Sequence, residues 1–224
     1  MPRIARAVAE GYPHHVVQRG NNKEQVFFDK RDKEKYLFLL KKYSEKWKSQ
    51  ILVYCLMTNH VHLLVKPHEE KSLCKMMQGI TLCYTQYVNR KYKRTGRLWE
   101  SRYHSCIVDN EKYLWAVARY IEQNPVRAKI VRMVDEFPYS SACAHLNGTK
   151  DEIIGEPLFD EKQGKDYAEF VRTSIPEDEM NEIRYFTRTG RPLGKEQFVG
   201  EMENKFQRRM FPLPRGRPRK HNDM

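Results

Sequence analysis

The 224-residue sequence contains no apolar run long enough to span a bilayer, which takes about 20 consecutive apolar residues. Its first six residues, Met-Pro-Arg-Ile-Ala-Arg, also lack the apolar core of a secretory signal peptide. We therefore expect a cytoplasmic protein with no membrane partner.

Paired cysteines and internal repeats are absent as well. The five cysteines are an odd number, and none of them stands in a Cys-x-x-Cys spacing. The absence of that spacing argues against a zinc knuckle or a redox couple. We expect reduced thiols that are mostly buried.

Acidic residues are in the minority, because 29 Asp and Glu face 41 Lys and Arg and give a net charge of +12. Such an excess makes a polyanion the expected partner. Aromatic residues separate the cations of a mid-chain cluster, a pattern that suits base stacking on single-stranded nucleic acid. The alternative is a solvated face whose rings lie in the core. The predicted nucleic-acid-binding cations of this cluster are Arg90, Lys91, Lys93, Arg94, Arg97 and Arg102.

A second basic cluster closes the chain. Its Arg-Gly-Arg-Pro core resembles an AT-hook, a flexible arm that inserts Arg side chains into a narrow minor groove of duplex DNA. A generic basic tail is the alternative. The residues concerned are Arg215, Arg217, Arg219 and Lys220.

The hydrophobic patterns predict an α+β fold with the element order β-α-β-β-α-β-α. We expect an antiparallel or mixed sheet with helices on one face. Patterning weakens after residue 147, so we predict a catalytic domain over residues 1–147 and an extension over 148–224. The extension is expected to be helical or irregular, with two weak helical stretches near residues 165–173 and 195–206.

A predicted β-hairpin carries the first candidate site. Side chains alternate across a strand, so His60 and His62 point to one face while Val61, Leu63 and Val65 point to the other. Neutral imidazole is a common metal ligand, which predicts a divalent-metal site. A hydrogen-bonded histidine pair without metal is the alternative.

The helix that follows Asp109 or Asn110 offers a nucleophile. Tyr113 and Tyr120 are seven residues apart on roughly one face, and Asn124 lies one further turn along. A tyrosine phenolate can attack a phosphodiester, and the Asn124 amide oxygen could reach the same ion. The alternative for either tyrosine is a packing role.

Three segments in this order resemble the REP-associated tyrosine transposases, which belong to the HUH single-strand transposases. They are His60-Val61-His62, residues 96–102 (Gly-Arg-Leu-Trp-Glu-Ser-Arg) and residues 120–128 (Tyr-Ile-Glu-Gln-Asn-Pro-Val-Arg-Ala). The resemblance covers roughly residues 10–147. It implies a ferredoxin-like sheet with the Tyr120 helix over it.

The resemblance also implies roles for single residues. His60 and His62, with Asn124 as the third ligand, would hold Mg²⁺ or Mn²⁺, and Tyr120 would attack single-stranded DNA. It further implies recognition of a DNA hairpin, to which Arg19 and Asn21 are expected to contribute.

The expected function is therefore a metal-dependent endonuclease and strand transferase that cuts single-stranded DNA beside hairpins through a 5′-phosphotyrosine. One alternative is a regulator or domesticated relative that binds DNA hairpins without cutting. Another is a nuclease that uses metal-activated water. The chain is expected to act as a monomer or a homodimer.

Overall fold

A four-stranded sheet forms the centre of the protein in the computed structural model, which describes residues 6–109, 111–155, 158–159 and 161–211. The strand order is β2-β3-β1-β4, and every neighbouring pair is antiparallel. The elements of this part are β1 (His14–Arg19), α1 (Lys30–Lys46), β2 (Ser49–Leu56), β3 (His60–Pro67), α2 (Ser72–Lys91) and β4 (His104–Ile107). The predicted α+β class and the β-α-β-β-α-β order of a ferredoxin-like unit are confirmed.

Two helices cover one face of the sheet. Val61, Leu63 and Val65 alternate along β3 and enter a core cluster with residues of α1 and α2. Val16 of β1 pairs with Leu63 and belongs to the same cluster. The predicted alternation in the hairpin thus decides which side of β3 faces the core.

A further layer covers the opposite face of the sheet, in addition to the predicted helices on one face. Leu52, Val53 and Leu64 lie in a second core cluster, on the opposite face, with Val117 and Ile121 of the next helix. The cause is visible in β2, where residues 51–56 are apolar without a break. Such a run is typical of a strand that is buried on both faces.

Six α-helices follow β4 in the described part of the chain. They are α3 (Glu111–Glu122), α4 (Asn124–Arg127), α5 (Ala142–Asn147), α6 (Glu161–Phe170), α7 (Glu177–Thr189) and α8 (Glu196–Phe206). No helix within the described ranges is long and apolar enough to cross a membrane. The basic tail from Arg215 to Lys220 lies outside the described residues.

The extension contains one helix that the hydrophobic pattern did not predict. Helices α6 and α8 correspond to the two expected stretches, whereas α7 was missed and packs against β4 and β1. Its signals were Pro176 before the helix and three acidic residues in the first turn, starting at Glu177. Gly148 ends α5 with a φ of 63°, and the division of the chain at this glycine stays a prediction.

Asp32 joins α1 to α2 from a fully buried position. It shares a capping box with Asp29, and its carboxylate accepts hydrogen bonds from Lys91 (2.7 Å), Tyr92 (2.8 Å) and Tyr87 (3.1 Å). Burial disfavours the charged form of Asp32. The hydrogen bonds that it accepts outweigh this effect and hold its pKa below the usual range, and the bond from Lys91 contributes most. Its contribution to stability is therefore present at neutral pH and is lost as the pH falls below about 4.

We expect Asp32→Ala to lower the free energy of unfolding by about 2 kcal/mol at pH 7, because the capping box loses its Asp32 acceptor and the side chains of Lys91, Tyr92 and Tyr87 lose theirs. Urea denaturation measures the change, and Glu34→Ala on the exposed side of α1 is the control. The difference from wild type should shrink as the pH approaches 3. Equal losses in the two variants would contradict this account.

Candidate active site

A cleft of about 350 Å³ opens beside α3 and α7, at the edge of the sheet's second face. Its titratable and charged lining consists of four histidines, a tyrosine, a carboxylate and three arginines. These residues are His15, Arg19, His60, His62, Glu100, His104, Tyr120, Arg184 and Arg188. The structure thus brings the predicted tyrosine to the predicted histidine pair.

His60 and His62 stand side by side on β3, with ring centroids 4.9 Å apart. The Nδ2 of Asn59 donates to the Lys23 carbonyl at 2.8 Å, which turns its Oδ1 toward His60. This oxygen is 2.6 Å from His60 Nδ1 and can only accept a hydrogen bond. His60 Nδ1 therefore carries the proton, and its Nε2 keeps a free lone pair.

A hydrogen-bond chain fixes His62 in the same tautomer. The Thr187 hydroxyl donates to the Ile183 carbonyl at 2.7 Å, because a carbonyl cannot donate. Thr187 then accepts from His15 Nδ1 at 2.8 Å, which leaves His15 Nε2 as an acceptor for His62 Nδ1 at 3.1 Å. Both histidines of β3 therefore keep Nε2 lone pairs, the form that binds a metal.

His15, His60 and His62 are neutral at physiological pH. Burial lowers the pKa of His15 to about 3. Burial and the charges of Arg19 and Arg127 lower the pKa of His60 to about 4. Burial, followed by the neighbouring histidines, holds the pKa of His62 well below its usual range. Neutral imidazoles can bind a metal without first losing a proton.

Tyr120 packs its ring against the histidines. The ring centroid lies 5.7 Å from that of His62 and 5.7 Å from that of His15, in edge-on geometry. The Arg127 guanidinium lies 4.3 Å from the Tyr120 ring centroid. The residue is 6% exposed and lines the cleft, so its packing role and its access to the cleft coexist.

Asn124 lies at the break between α3 and α4 and does not line the cleft. Its Nδ2 donates to the carbonyls of Tyr120 (2.9 Å) and Ile121 (3.2 Å), and its Oδ1 accepts from Arg127 at 2.8 Å. Pro125 has no N–H for the helix, so the Asn124 amide supplies the missing donor. In this arrangement Asn124 supports the backbone of Tyr120, and its oxygen is already engaged.

His60 and His62 therefore offer two imidazole nitrogens to the cleft. Within the described parts of the chain, no group of three or more His, Cys, Asp or Glu side chains is arranged to hold a metal. The free Nε2 lone pairs of His60 and His62 fit an ion that takes its other ligands from water or substrate.

The predicted DNA-binding residues are spread over several environments. Arg19 forms an ion pair with Glu100 at 2.8 Å. The backbone N–H of Asn21 donates a hydrogen bond to the Leu98 carbonyl. Lys91 is paired with two aspartates, which makes it a structural cation. The exposed members of the mid-chain cluster are Arg90, Lys93, Arg97 and Arg102.

Two aromatic rings that were considered for base stacking are in the core. Trp99 and Tyr103 are each 6% exposed and belong to the cluster beneath α1 and α2. The alternative reading, with rings tucked inside, therefore holds for these two residues.

Sequence reasoning missed five titratable or charged residues of the cleft, which are His15, Glu100, His104, Arg184 and Arg188. His15 lies on the same face as His62, because Val17 pairs with His62 and side chains alternate along β1. Arg184 and Arg188 are one turn apart on α7, the helix that was not predicted. Glu100 belongs to the family-like segment 96–102, but the sequence did not predict that it lies next to Arg19.

Known proteins are similar to this chain in sequence and in fold. The family model described as "Transposase IS200 like" matches residues 9–124. A curated protein of Haemophilus influenzae, described as a REP-associated tyrosine transposase, is 24% identical over 107 residues, or 43% of this chain and 61% of that protein. The matched segment thus spans less than two thirds of the relative's length.

Solved structures were compared as well. One, described as a REP-associated tyrosine transposase bound to a REP hairpin, aligns with a TM-score of 0.56 and 17% identity, over 71% of this chain and 94% of the other. It shares the fold. A transposase structure from Deinococcus radiodurans has a TM-score of 0.37 and 14% identity, over 60% and 97% of the two chains. That similarity is too low to compare folds.

Proposed function

Because the chain belongs to the family of IS200-like transposases, whose model covers residues 9–124, we propose that it cuts and rejoins single-stranded DNA beside a hairpin. The reaction is a divalent-metal-dependent transesterification with Tyr120 as the nucleophile. The observation that carries the proposal is the packing of the Tyr120 ring against His62 at the wall of an arginine-lined cleft.

His60 and His62 would hold the divalent ion, Mg²⁺ or Mn²⁺, through their Nε2 atoms. When bound, such an ion withdraws charge from the scissile phosphate. Asn124 could become a third ligand only by exchanging its hydrogen bond from Arg127. The remaining positions are available to water and phosphate oxygens.

The residues of the cleft then have separate roles. The Tyr120 oxygen attacks phosphorus, the bond from phosphorus to the 3′ oxygen breaks, and that oxygen leaves as a hydroxyl after taking a proton. A 5′-phosphotyrosine remains, and attack by a 3′-hydroxyl reverses the step and reseals the strand. Arg127 holds the ring from the other side, and Arg184 and Arg188 favour the charged phosphate.

The substrate class follows from charge and from the relatives. The chain carries a net charge of +12, and one protein of the same fold is described as bound to a REP hairpin. We place the hairpin next to the scissile phosphate, against Arg19 and the exposed mid-chain cations. A binder that does not cut would keep these cations, but it would not need the orientation of His60 and His62.

The test is covalent capture of a single-stranded hairpin oligonucleotide in the presence of Mn²⁺, detected as a protein band of raised mass in a denaturing gel. An adduct that depends on Tyr120 supports the proposal. Cutting without any adduct would favour a nuclease that uses activated water, and binding without cutting would favour a regulator.

The hydrogen-bond chain to His62 gives a separate prediction. Thr187→Val removes the acceptor of the His15 Nδ1 proton while keeping the branched shape of the side chain. His62 then loses its fixed tautomer, and we expect Mn²⁺ affinity to fall about tenfold. Nitrogen NMR of the ring atoms should show mixed tautomers of His62 in the metal-free variant.

Thr187→Ser is the matched control, because it keeps the hydroxyl that accepts from His15. It should retain both the tautomer and the affinity. An unchanged tautomer of His62 in the valine variant would disprove the chain of hydrogen bonds.

A further inference from the structure

A second, larger groove of about 970 Å³ lies along the β4 edge of the sheet. Residues of the N-terminal segment, of β4 and of the C-terminal extension line it together. Six arginines contribute to its walls, and they are Arg6, Arg102, Arg188, Arg191, Arg208 and Arg209.

The groove has a single sign of charge. None of its lining residues is acidic. Arg102, Arg188, Arg191 and Arg209 form no ion pair with an acidic residue in the described part of the chain. A concave surface lined by one sign of charge concentrates the field and attracts a polyanion.

Groove and cleft are continuous. Ser101, His104, Thr187 and Arg188 line both of them. A strand whose phosphate lies beside Tyr120 can therefore pass directly from the cleft into the groove without crossing the core.

Two hydroxyl groups in the groove wall have no partner among the described residues. Tyr103 Oη and Ser105 Oγ are buried and make no hydrogen bond, and both residues line the groove. Each residue is 6% exposed. Because both oxygen atoms are themselves buried, they do not reach the groove surface, and the arginines carry its attraction for a polyanion.

The C-terminal extension builds half of this surface. Gly190 ends α7 with a φ of 71°, which turns the chain so that Arg188 and Arg191 stand on either side of the helix end. Arg208 and Arg209 follow α8. The extension thus adds cations beside the active cleft as well as covering the sheet.

We propose that this arginine groove binds the phosphate backbone of the single strand that flanks the scissile phosphate. The inference rests on the proposed function, since the cleft supplies the strand. Its continuity with the Tyr120 cleft favours a single strand over an independent anion, because a flexible chain of phosphates can follow both surfaces.

The test compares binding of fluorescent hairpin oligonucleotides that carry single-stranded extensions of about 4 or about 12 nucleotides, on the 5′ or the 3′ side. EDTA is present throughout, so no strand is cut. The double variant Arg191→Gln with Arg209→Gln should bind one of the long oligonucleotides about tenfold more weakly than wild type, and its salt slope should fall by about 1.4. Affinity for the short oligonucleotides should stay at the wild-type level.

The control is Arg132→Gln with Arg172→Gln, which removes the same charge from two exposed positions outside the groove. A second variant, Arg191→Lys with Arg209→Lys, keeps the charge and should retain most of the affinity for the long oligonucleotide. If the glutamine variant of the groove binds both long oligonucleotides as tightly as the control, the groove does not hold the strand.

The outcome is distinguishable from a failure of the proposed chemistry. Loss of length-dependent binding in the groove variant supports the groove even if no covalent adduct with Tyr120 forms. A normal adduct with unchanged length dependence overturns the groove and leaves the catalytic proposal in place.

Discussion

The Tyr120→Phe variant is expected to form no covalent adduct with single-stranded hairpin DNA and to cut it more slowly by a factor on the order of 10³ or more. The reason is chemical, because the substitution removes only the oxygen that attacks phosphorus. The ring stays, so its edge-on packing with His15 and His62 is retained. DNA affinity and thermal stability should therefore remain near wild type.

Tyr113→Phe is the matched control. Tyr113 lies on the same helix, two turns before Tyr120, and is not among the residues that line the cleft. It should form the adduct at the wild-type rate. If the adduct persists in Tyr120→Phe, another residue is the nucleophile. If cutting persists without an adduct, activated water is the nucleophile.

His62→Ala is expected to weaken Mn²⁺ binding by about 100-fold or more and to abolish metal-dependent cleavage. His62 supplies one of two free Nε2 lone pairs in the cleft and anchors the hydrogen-bond chain through His15 to Thr187. Both functions are lost in the variant. Calorimetric titration with Mn²⁺ measures the metal site directly, without dependence on turnover.

The control for this variant is His68→Ala. His68 follows the same hairpin but is exposed and does not line the cleft, so Mn²⁺ affinity should not change. Equal affinity of His62→Ala and wild type would show that the cleft histidines are not the ligands. The chain would then keep its DNA-binding cations without a metal-dependent role for this pair.

Local sequence patterns were sufficient for the hairpin and for the first helices. The alternation of His60, Val61 and His62 fixes which side chains share a face, since a strand has a period of two. Helix α1 starts one residue after Asp29, where a carboxylate can cap the free N–H groups. The resemblance to HUH transposases then supplied roles for Tyr120 and the histidines that periodicity alone left open.

The missed features depend on residues far apart in the chain. His15 and Thr187 are separated by 172 positions, yet their hydrogen bond sets the tautomer of His62. Helix α7 has few buried residues and an acidic start, so its hydrophobic pattern was weak even though its capping signals were present. The contacts of the second helical layer were not predicted. A continuous apolar strand indicates burial on both faces, but it does not indicate which helix covers the second face.

By itself the sequence determined an α+β core with an antiparallel or mixed sheet, the shared face of His60 and His62 and the excess of positive charge. These properties follow from strand and helix periodicity and from composition, which are local or additive. Only the tertiary structure decided that His15 and Thr187 orient His62, that Asn124 is engaged by Arg127, and that the extension carries arginines to the cleft. Those relations arise from packing between distant segments, and no local period encodes them.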